Sequence, residues 1–545
     1  MTADGPPDEP PVDPGPGRLV RSTALMSVGT ALSRLTGFLR VAAMAFALGV
    51  AETRLADAYN VANNTPNIIY ELVLGGILAS VFVPVFVEQM ARRTREEAWH
   101  VARAVMTVTL VLLGAVMVIG IVTAPWIVRL YTFRIQETQE ATRALATLFL
   151  QFFMPQVVLY GIGAAATGLL NAHRRFAMPM FAPILNNLVV IASFLIFAAM
   201  YAGAEAPSPV NITFAQKMVL AIGTTAGVVI MTLALWPSLR RIGFRWRWAL
   251  DFRHPAIRKL IRLSGWAVGY VVVNQIGLLI VIVLAAGVQG GYTAYQSAFI
   301  FFQLPYAIFS VSIMTALLPS LSRRWVEGDR AGFRQIIARG IRASAFIVVP
   351  AAAGYVVLGR PIVRLLLEHG VTTAASIDLL AGILTFFALG LFPFSAFMLF
   401  LRAFYAMQDT RTPMLINVFA VGLHTAVNFA LFPFLDVRGL ALGHAIAYTF
   451  AAIASAVILS RRLGGLEGGT LARGLGKVGV GALLTGAAAW GAARASASVL
   501  GVETLGAQAA QVGAGVLAGL AAFVLAALVL RMEEFRLVLR GLRRR

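Results

Sequence analysis

Fourteen stretches of this chain are each long and apolar enough to cross a lipid bilayer. A span needs about 20 predominantly apolar residues to bridge a hydrocarbon core about 30 Å thick. Such stretches fall at roughly 23–49, 60–87, 102–131, 142–170, 177–201, 214–237, 260–287, 296–320, 337–358, 376–404, 412–433, 439–460, 475–493 and 507–530, called spans 1 to 14 below. Lipid offers no partner to backbone N–H and C=O groups, so runs of this length are expected as helices. The expected fold is an all-α polytopic membrane protein. Composition agrees, because only 13% of the 545 residues are charged, against about 25% in soluble domains.

The connections alternate in charge. Arg92, Arg93 and Arg95, Arg174 and Arg175, Arg240 through Arg262, Arg323 through Arg342, and Arg461 and Arg462 all fall on one face, whereas 202–213 and 288–295 carry no Lys or Arg. The positive-inside rule then places both termini in the cytoplasm. The net charge of +21 is spread over short loops with no contiguous basic domain. It reads as topology and contact with anionic lipid headgroups, not as a nucleic-acid surface. The Pro-rich, acidic residues 1–18 have too little apolar surface to fold and are expected to be a disordered cytoplasmic tail, with no cleavable signal peptide. A basic tail covers 532–545. Cysteine is absent, which excludes disulfides, thiolate nucleophiles and Cys-ligated metals.

The chain resembles itself at a spacing near 235 residues. Ile127–Leu130 recurs as Ile362–Leu365, and Val83-Pro84 as Leu318-Pro319. Asn171-Ala172 followed by Met178-Pro179-Met180 parallels Tyr405-Ala406 followed by Thr412-Pro413-Met414. Spans 1–6 (19–238, the N-lobe) therefore pair with spans 7–12 (260–462, the C-lobe), joined by a basic linker at 239–259. Spans 13–14 (463–531) lie outside the repeat. An even number of spans per unit makes the repeat parallel, and two such lobes around a central cavity are an architecture of alternating-access transporters.

Enzyme chemistry finds little support. The nearest approach to a phosphate-binding loop, Gly474-Leu475-Gly476-Lys477-Val478, lacks the loop length and the Ser/Thr, so ATP hydrolysis is not expected. The six histidines show no metal-ligand spacing; His424 and His444 read as satisfied packing residues. No metal or other cofactor is expected. Paired carboxylates for acid–base catalysis or for a metal–diphosphate site are missing from the spans.

Ionisable residues inside spans are few. In S-R-L-T-G-F-L-R, Arg34 lies about 16 Å into span 1. Arg40 follows about 9 Å on and about 120° around the helix. An arginine at mid-bilayer costs about 2.5–3.5 kcal/mol even on lenient scales, so a function is expected of the pair. Gly37 between them is a candidate bend point. Span 2 opens with Asp57, Asn60, Asn64, Asn67 and Glu71, the last four at 4-3-4 spacing on one helix face. Pro66 should kink this span, and Gly75-Gly76 permits close approach or a second bend. Either the arginines pair with Glu71 or Asp57, or they line a hydrated cavity and bind an anion; a guanidinium fork suits a diphosphate. In the C-lobe, Pro305 mirrors Pro66, and Gln275 then falls near the position of Arg34. Gln303 is a further amide of span 8.

Several motifs together resemble the MurJ (MviN) family: S-R-x-x-G-F-x-R of span 1, A-D-A-Y-N-V-A-N-N-T-P-N opening span 2, F-V-P-V-F-V-E at 82–88, A-L-L-P-S-L-S at 316–322 and F-Y-A-M-Q-D-T-R-T-P at 404–413. The resemblance covers about residues 22–462, and Y-E-L-V-L-G-G looks like the actinobacterial branch. It implies a flippase of the bacterial plasma membrane for lipid II, the undecaprenyl-diphosphate-linked peptidoglycan precursor, working by alternating access without ATP. Cell-wall synthesis and division proteins are implied partners, and a coupling ion is left open. By position Arg34 and Arg40 match the family's cavity arginines, Asp57 matches its acidic residue at the start of span 2, and spans 13–14 resemble the pair that forms a groove for the lipid tail. Val41, Tyr70 and Ile300 stand where the family often carries charge. Two rivals remain: an exporter of drugs or of another polyprenyl-linked glycan, which Glu71 keeps open, and a non-transporting scaffold of the cell-wall machinery.

Overall fold

A computed structural model describes residues 16–73, 95–135, 139–173, 175–202, 206–251 and 255–536. Every predicted span falls on helix within them, span 2 as far as Val73; Gly75, Gly76 and the 82–88 motif lie outside the described residues. Among the described residues nine helices are long and apolar enough to cross a membrane, and a tenth arises from a pair bent by 47° between Leu389 and Leu391. One of the nine, Arg411–Leu463, holds both span 11 and span 12 and turns between them at Asp436.

The irregularities sit where the residues require them. Span 4 breaks at Met154, with Pro155 opening its second half, a position where the missing N–H is no loss. Span 10 bends at Gly390, where a Cβ would lie 2.8 Å from the Ala445 α-carbon of span 12, so only glycine lets the two helices approach this closely. Span 8 widens into a π-helical turn over Tyr306–Ser310, directly after Pro305, which gives the mirror of Pro66 a visible local distortion. At the basic face, Asp409 starts span 11 by accepting the Thr412 N–H at 2.9 Å and pairing with Arg462 at 2.5 Å. Burial pushes its carboxyl up, but these bonds hold it below the ordinary carboxylate value.

The N-lobe has a core of its own, and the C-lobe core extends across the lobe boundary to Ala45, Val50, Val61 and Tyr131. Tyr59 meets Phe149, Phe153 and Phe194 edge-on in the N-lobe. Tyr295, Phe302, Phe387 and Phe394 cluster in the C-lobe. Spans 13 and 14 pack on each other and on span 9 through small residues: Gly515 and Gly519 approach Ala489 and Thr485 of span 13, a small-xxx-small contact of the kind that lets helix backbones close up in lipid.

Candidate functional site

Arg34 and Arg40 stand on one uninterrupted helix, Pro16–Leu48, so Gly37 does not break it. Asn187 of span 5 donates to Ser33 O at 3.3 Å and to the Thr36 hydroxyl at 3.0 Å, which ties the back of this stretch to the N-lobe. The two arginines then reach different surroundings. Arg40 lines a pocket of about 30 Å³ with Asn60 and Asn63 of span 2, Phe194 of span 5, and Gln296, Ser297 and Ile300 of span 8. Both lobes wall this pocket, and Arg40 carries the only charge among its lining residues. Val41 and Ile300, two of the positions where a charge is absent, line it as well.

Arg34 is exposed. It precedes by one helical turn Phe38, whose ring packs edge-on against Phe301 of span 8 at 5.1 Å. Residues four apart share a helix face, so Arg34 points toward the C-lobe, nearer the basic face than Arg40. Its charge and that of Arg402 lie within electrostatic reach of the Tyr306 hydroxyl. Arg402, in F-M-L-F-L-R-A-F of span 10, escaped the sequence reading although it meets the criterion that singled out Arg34: an arginine inside an apolar run.

Span 2 supplies amides and not counter-ions. Among the described residues neither Asp57 nor Glu71 forms an ion pair with Arg34 or Arg40, so the pairing alternative is not what the structure shows. Asn60 donates to the Thr293 hydroxyl across the lobe boundary at 3.1 Å. Asn64 is buried with its amide nitrogen unpartnered. Asn67 donates to Asn63 O beside Pro66, and Glu71 is exposed. Helix Leu55–Val73 continues through Pro66. In the C-lobe, Gln275 does not reach the inter-lobe pocket as its mirror relation to Arg34 implied; it faces a separate cavity between spans 7, 8, 11 and 12. Gln303 is half-buried on span 8.

Asp57 belongs to a clasp on the face opposite the basic loops, here the distal face. Its carboxylate accepts from Gly290 N at 2.7 Å, Thr293 N at 3.1 Å and the Thr293 hydroxyl at 2.8 Å, capping the N-terminus of span 8. Arg54 donates to Ala286 O at 2.9 Å, beside the C-terminus of span 7. Glu52 accepts from Thr373 N and the Ser376 hydroxyl, both at 2.6 Å, at the N-terminus of span 10. Anions at helix N-termini and a cation at a C-terminus are each favoured by the helix dipole, so one N-lobe loop complements three C-lobe helix ends. Burial pushes the Glu52 carboxyl up, but its hydrogen bonds from Ser376, Thr373 and Val50 hold it below the ordinary value. Among the described residues every hydrogen bond between the lobes lies at this face or just beneath it. The sequence signalled Asp57 through its place at the opening of span 2; nothing local marked Glu52 or Arg54, whose partners lie more than 230 residues away.

Comparison with known proteins gives the family from a family model and from sequence relatives, and the fold from solved structures. The family model described as Lipid II flippase MurJ matches residues 44–507. A probable lipid II flippase MurJ of Rhizobium tropici is 30% identical over 451 residues, covering 82% of this chain and 81% of the relative. Lipid II flippase MurJ of Burkholderia cenocepacia is 27% identical over 429 residues, covering 78% and 80%. Among solved structures, a lipid II flippase MurJ in an inward closed conformation superposes with a TM-score of 0.75 at 20% identity, over 93% of this chain and 99% of that one. An inward-facing multidrug transporter of the MATE family follows at 0.60 and 15% identity, over 82% and 95%; at these identities the superpositions speak for the fold. With its fourteen spans, two lobes and a family match over most of its length, the chain belongs to the MurJ family of lipid II flippases.

Proposed function

We propose that this chain moves lipid II from the cytoplasmic to the outer leaflet of the bacterial plasma membrane, by alternating access of its two lobes. The observation that carries the proposal is Arg40, a lone charge in a pocket walled by both lobes, in a chain whose curated relatives are named lipid II flippases. A guanidinium keeps its charge at any depth and offers a planar fork to a diphosphate. Arg34 and Arg402, set toward the basic face, supply further cations on the way in.

By the positive-inside rule the basic face is cytoplasmic and the distal face external, which puts both termini in the cytoplasm. The clasp then closes the external side, and this conformation is the one that receives substrate from the cytoplasmic leaflet. An apolar groove of about 460 Å³ between spans 8, 9, 13 and 14, lined by Phe309, Phe346, Tyr355, Leu520 and Phe523, suits the polyprenyl tail. The chain acts as a transporter and not as an enzyme, needs no ATP, and works beside cell-wall synthesis and division proteins. The membrane potential can assist, at about 2.3 kcal/mol per elementary charge per 100 mV.

Conditional depletion tests the proposal. Lipid II should accumulate in the inner leaflet and wall synthesis should stop. Unchanged lipid II topology would leave a scaffold role, and a defect confined to drug efflux or to another glycan would favour an exporter.

A further inference from the structure

The outer side of the N-lobe carries a groove that neither the Arg40 pocket nor the distal clasp uses. The lobe boundary is formed chiefly by spans 1, 2 and 3 of the N-lobe, and spans 4 and 6 lie behind them. Between spans 4 and 6 a hollow of about 520 Å³ opens outward, with Phe152 and Pro155 on one wall and Ile222, Ala226 and Val229 on the other. Ile222 and Phe152 are 54% and 38% exposed, as side chains that face lipid are.

Two polar residues interrupt this apolar lining, Gln151 and Thr225. Counted from the distal ends of their spans they lie about 14 and about 16 Å deep. Both are therefore near the middle of a hydrocarbon core about 30 Å thick. Thr225 is served from within the protein: its hydroxyl donates to Phe152 O at 2.8 Å and accepts from Gln156 Nε2 at 3.1 Å. Gln151 is not. It is exposed, and among the described residues its side chain has no hydrogen-bond partner. Its main-chain carbonyl has also lost the usual donor four residues on, because that residue is Pro155.

A glutamine side chain is too short to lift its amide from mid-membrane to the headgroups, and no water is there to bond it. Acyl chains can fill the hollow but cannot satisfy the amide. Helices associate in lipid through close packing over small residues and through side-chain hydrogen bonds. The hollow offers both, with Ala226 in its wall and Gln151 at its edge. A second copy of this chain fits poorly, because about a two-fold axis a surface meets itself and two hollows would face each other empty.

We propose that this groove seats a membrane-spanning helix of a partner protein, one that carries an amide or hydroxyl side chain near its midpoint to bond Gln151. The helix lies along spans 4 and 6 on the side away from the C-lobe, so it stays attached while the lobes alternate. Docking there leaves the Arg40 pocket and the clasp untouched, and the site is separate from the transport machinery.

The test uses the full chain in liposomes, with a donor dye on Val210→Cys, an exposed position just ahead of span 6; the chain has no native cysteine. The probes are two synthetic membrane-spanning polyleucine peptides, one with a single central Gln and one without. Each carries an acceptor dye and is diluted in lipid until it is monomeric. Energy transfer should reach half its maximum at about tenfold less Gln peptide than plain peptide, the order expected of an interhelical hydrogen bond in lipid. Gln151→Leu should abolish this preference, and Ala226→Phe, which fills the hollow, should weaken binding of both peptides. Comparing the two peptides on the otherwise unchanged chain requires no groove variant to fold. Equal transfer from both peptides would overturn the proposal, because the hollow would then take any apolar chain. So would a Gln preference that survives in Gln151→Leu. Transfer between donor- and acceptor-labelled copies of this protein that falls in Gln151→Leu would make the occupant a second copy and overturn it too.

Discussion

Arg40 and Arg34 differ in what surrounds them, and that decides how each substitution reads out. Arg40 is the only charge in its pocket, so Arg40→Ala should abolish complementation of a depleted strain while expression and membrane insertion persist. Arg40→Lys keeps the charge but loses the fork. If one charge-assisted bond goes, about 1.5–3 kcal/mol is lost, or roughly ten- to a hundredfold in substrate affinity. Arg34→Ala should also fail to complement; a folded, fully complementing variant would make Arg34 a structural residue. The depths and facings of this pair were legible from their spacing on one helix. Which of them meets the other lobe at close range was not, because that depends on Gln296 and Ile300, more than 250 residues away.

At the scale of elements, the distal clasp depends on helix ends and on close backbone approach. Gly290 has φ +69° and a Cβ there would lie 2.3 Å from the Ala51 α-carbon. Gly290→Ala should therefore strain the turn by about 1–2 kcal/mol and push the lobes apart, read as a longer distance between spin labels on the 1–2 and 9–10 loops. Glu52 gives the clasp a pH dependence. Its carboxyl is held below the ordinary value in the closed state, so its contribution is complete above about pH 4.3, the ordinary Glu pKa. It is lost as pH falls through the depressed value. Label distances should lengthen in the wild type as pH falls through the depressed Glu52 value, and Glu52→Gln, which starts loosened, should lack that step. Burial raises the Asp57 carboxyl to about 6, so its protonation falls at higher pH and is separate from it. All fourteen spans could be read from length and hydrophobicity, since lipid forces each apolar run into a helix. The clasp itself comes from contacts between distant spans, which no local pattern records.

For the whole molecule, alternating access requires the distal face to open and the basic face to close once per cycle. The chain has no native cysteine, so an Ala51→Cys, Ser376→Cys pair, at positions already joined by a 3.1 Å hydrogen bond, can be bridged by a short thiol cross-linker without side reactions. Bridging should stop transport, and cleaving a reducible linker should restore it; undiminished transport in the bridged protein would mean that the lobes do not alternate. The central claim is tested most directly by following lipid II itself. In cells depleted of this protein and supplied with wild type or Arg40→Ala, the lipid II reachable by a probe acting only outside the membrane should return with wild type and stay near zero with Arg40→Ala, at equal amounts of protein. Equal outer-leaflet lipid II in depleted and supplied cells would contradict the account.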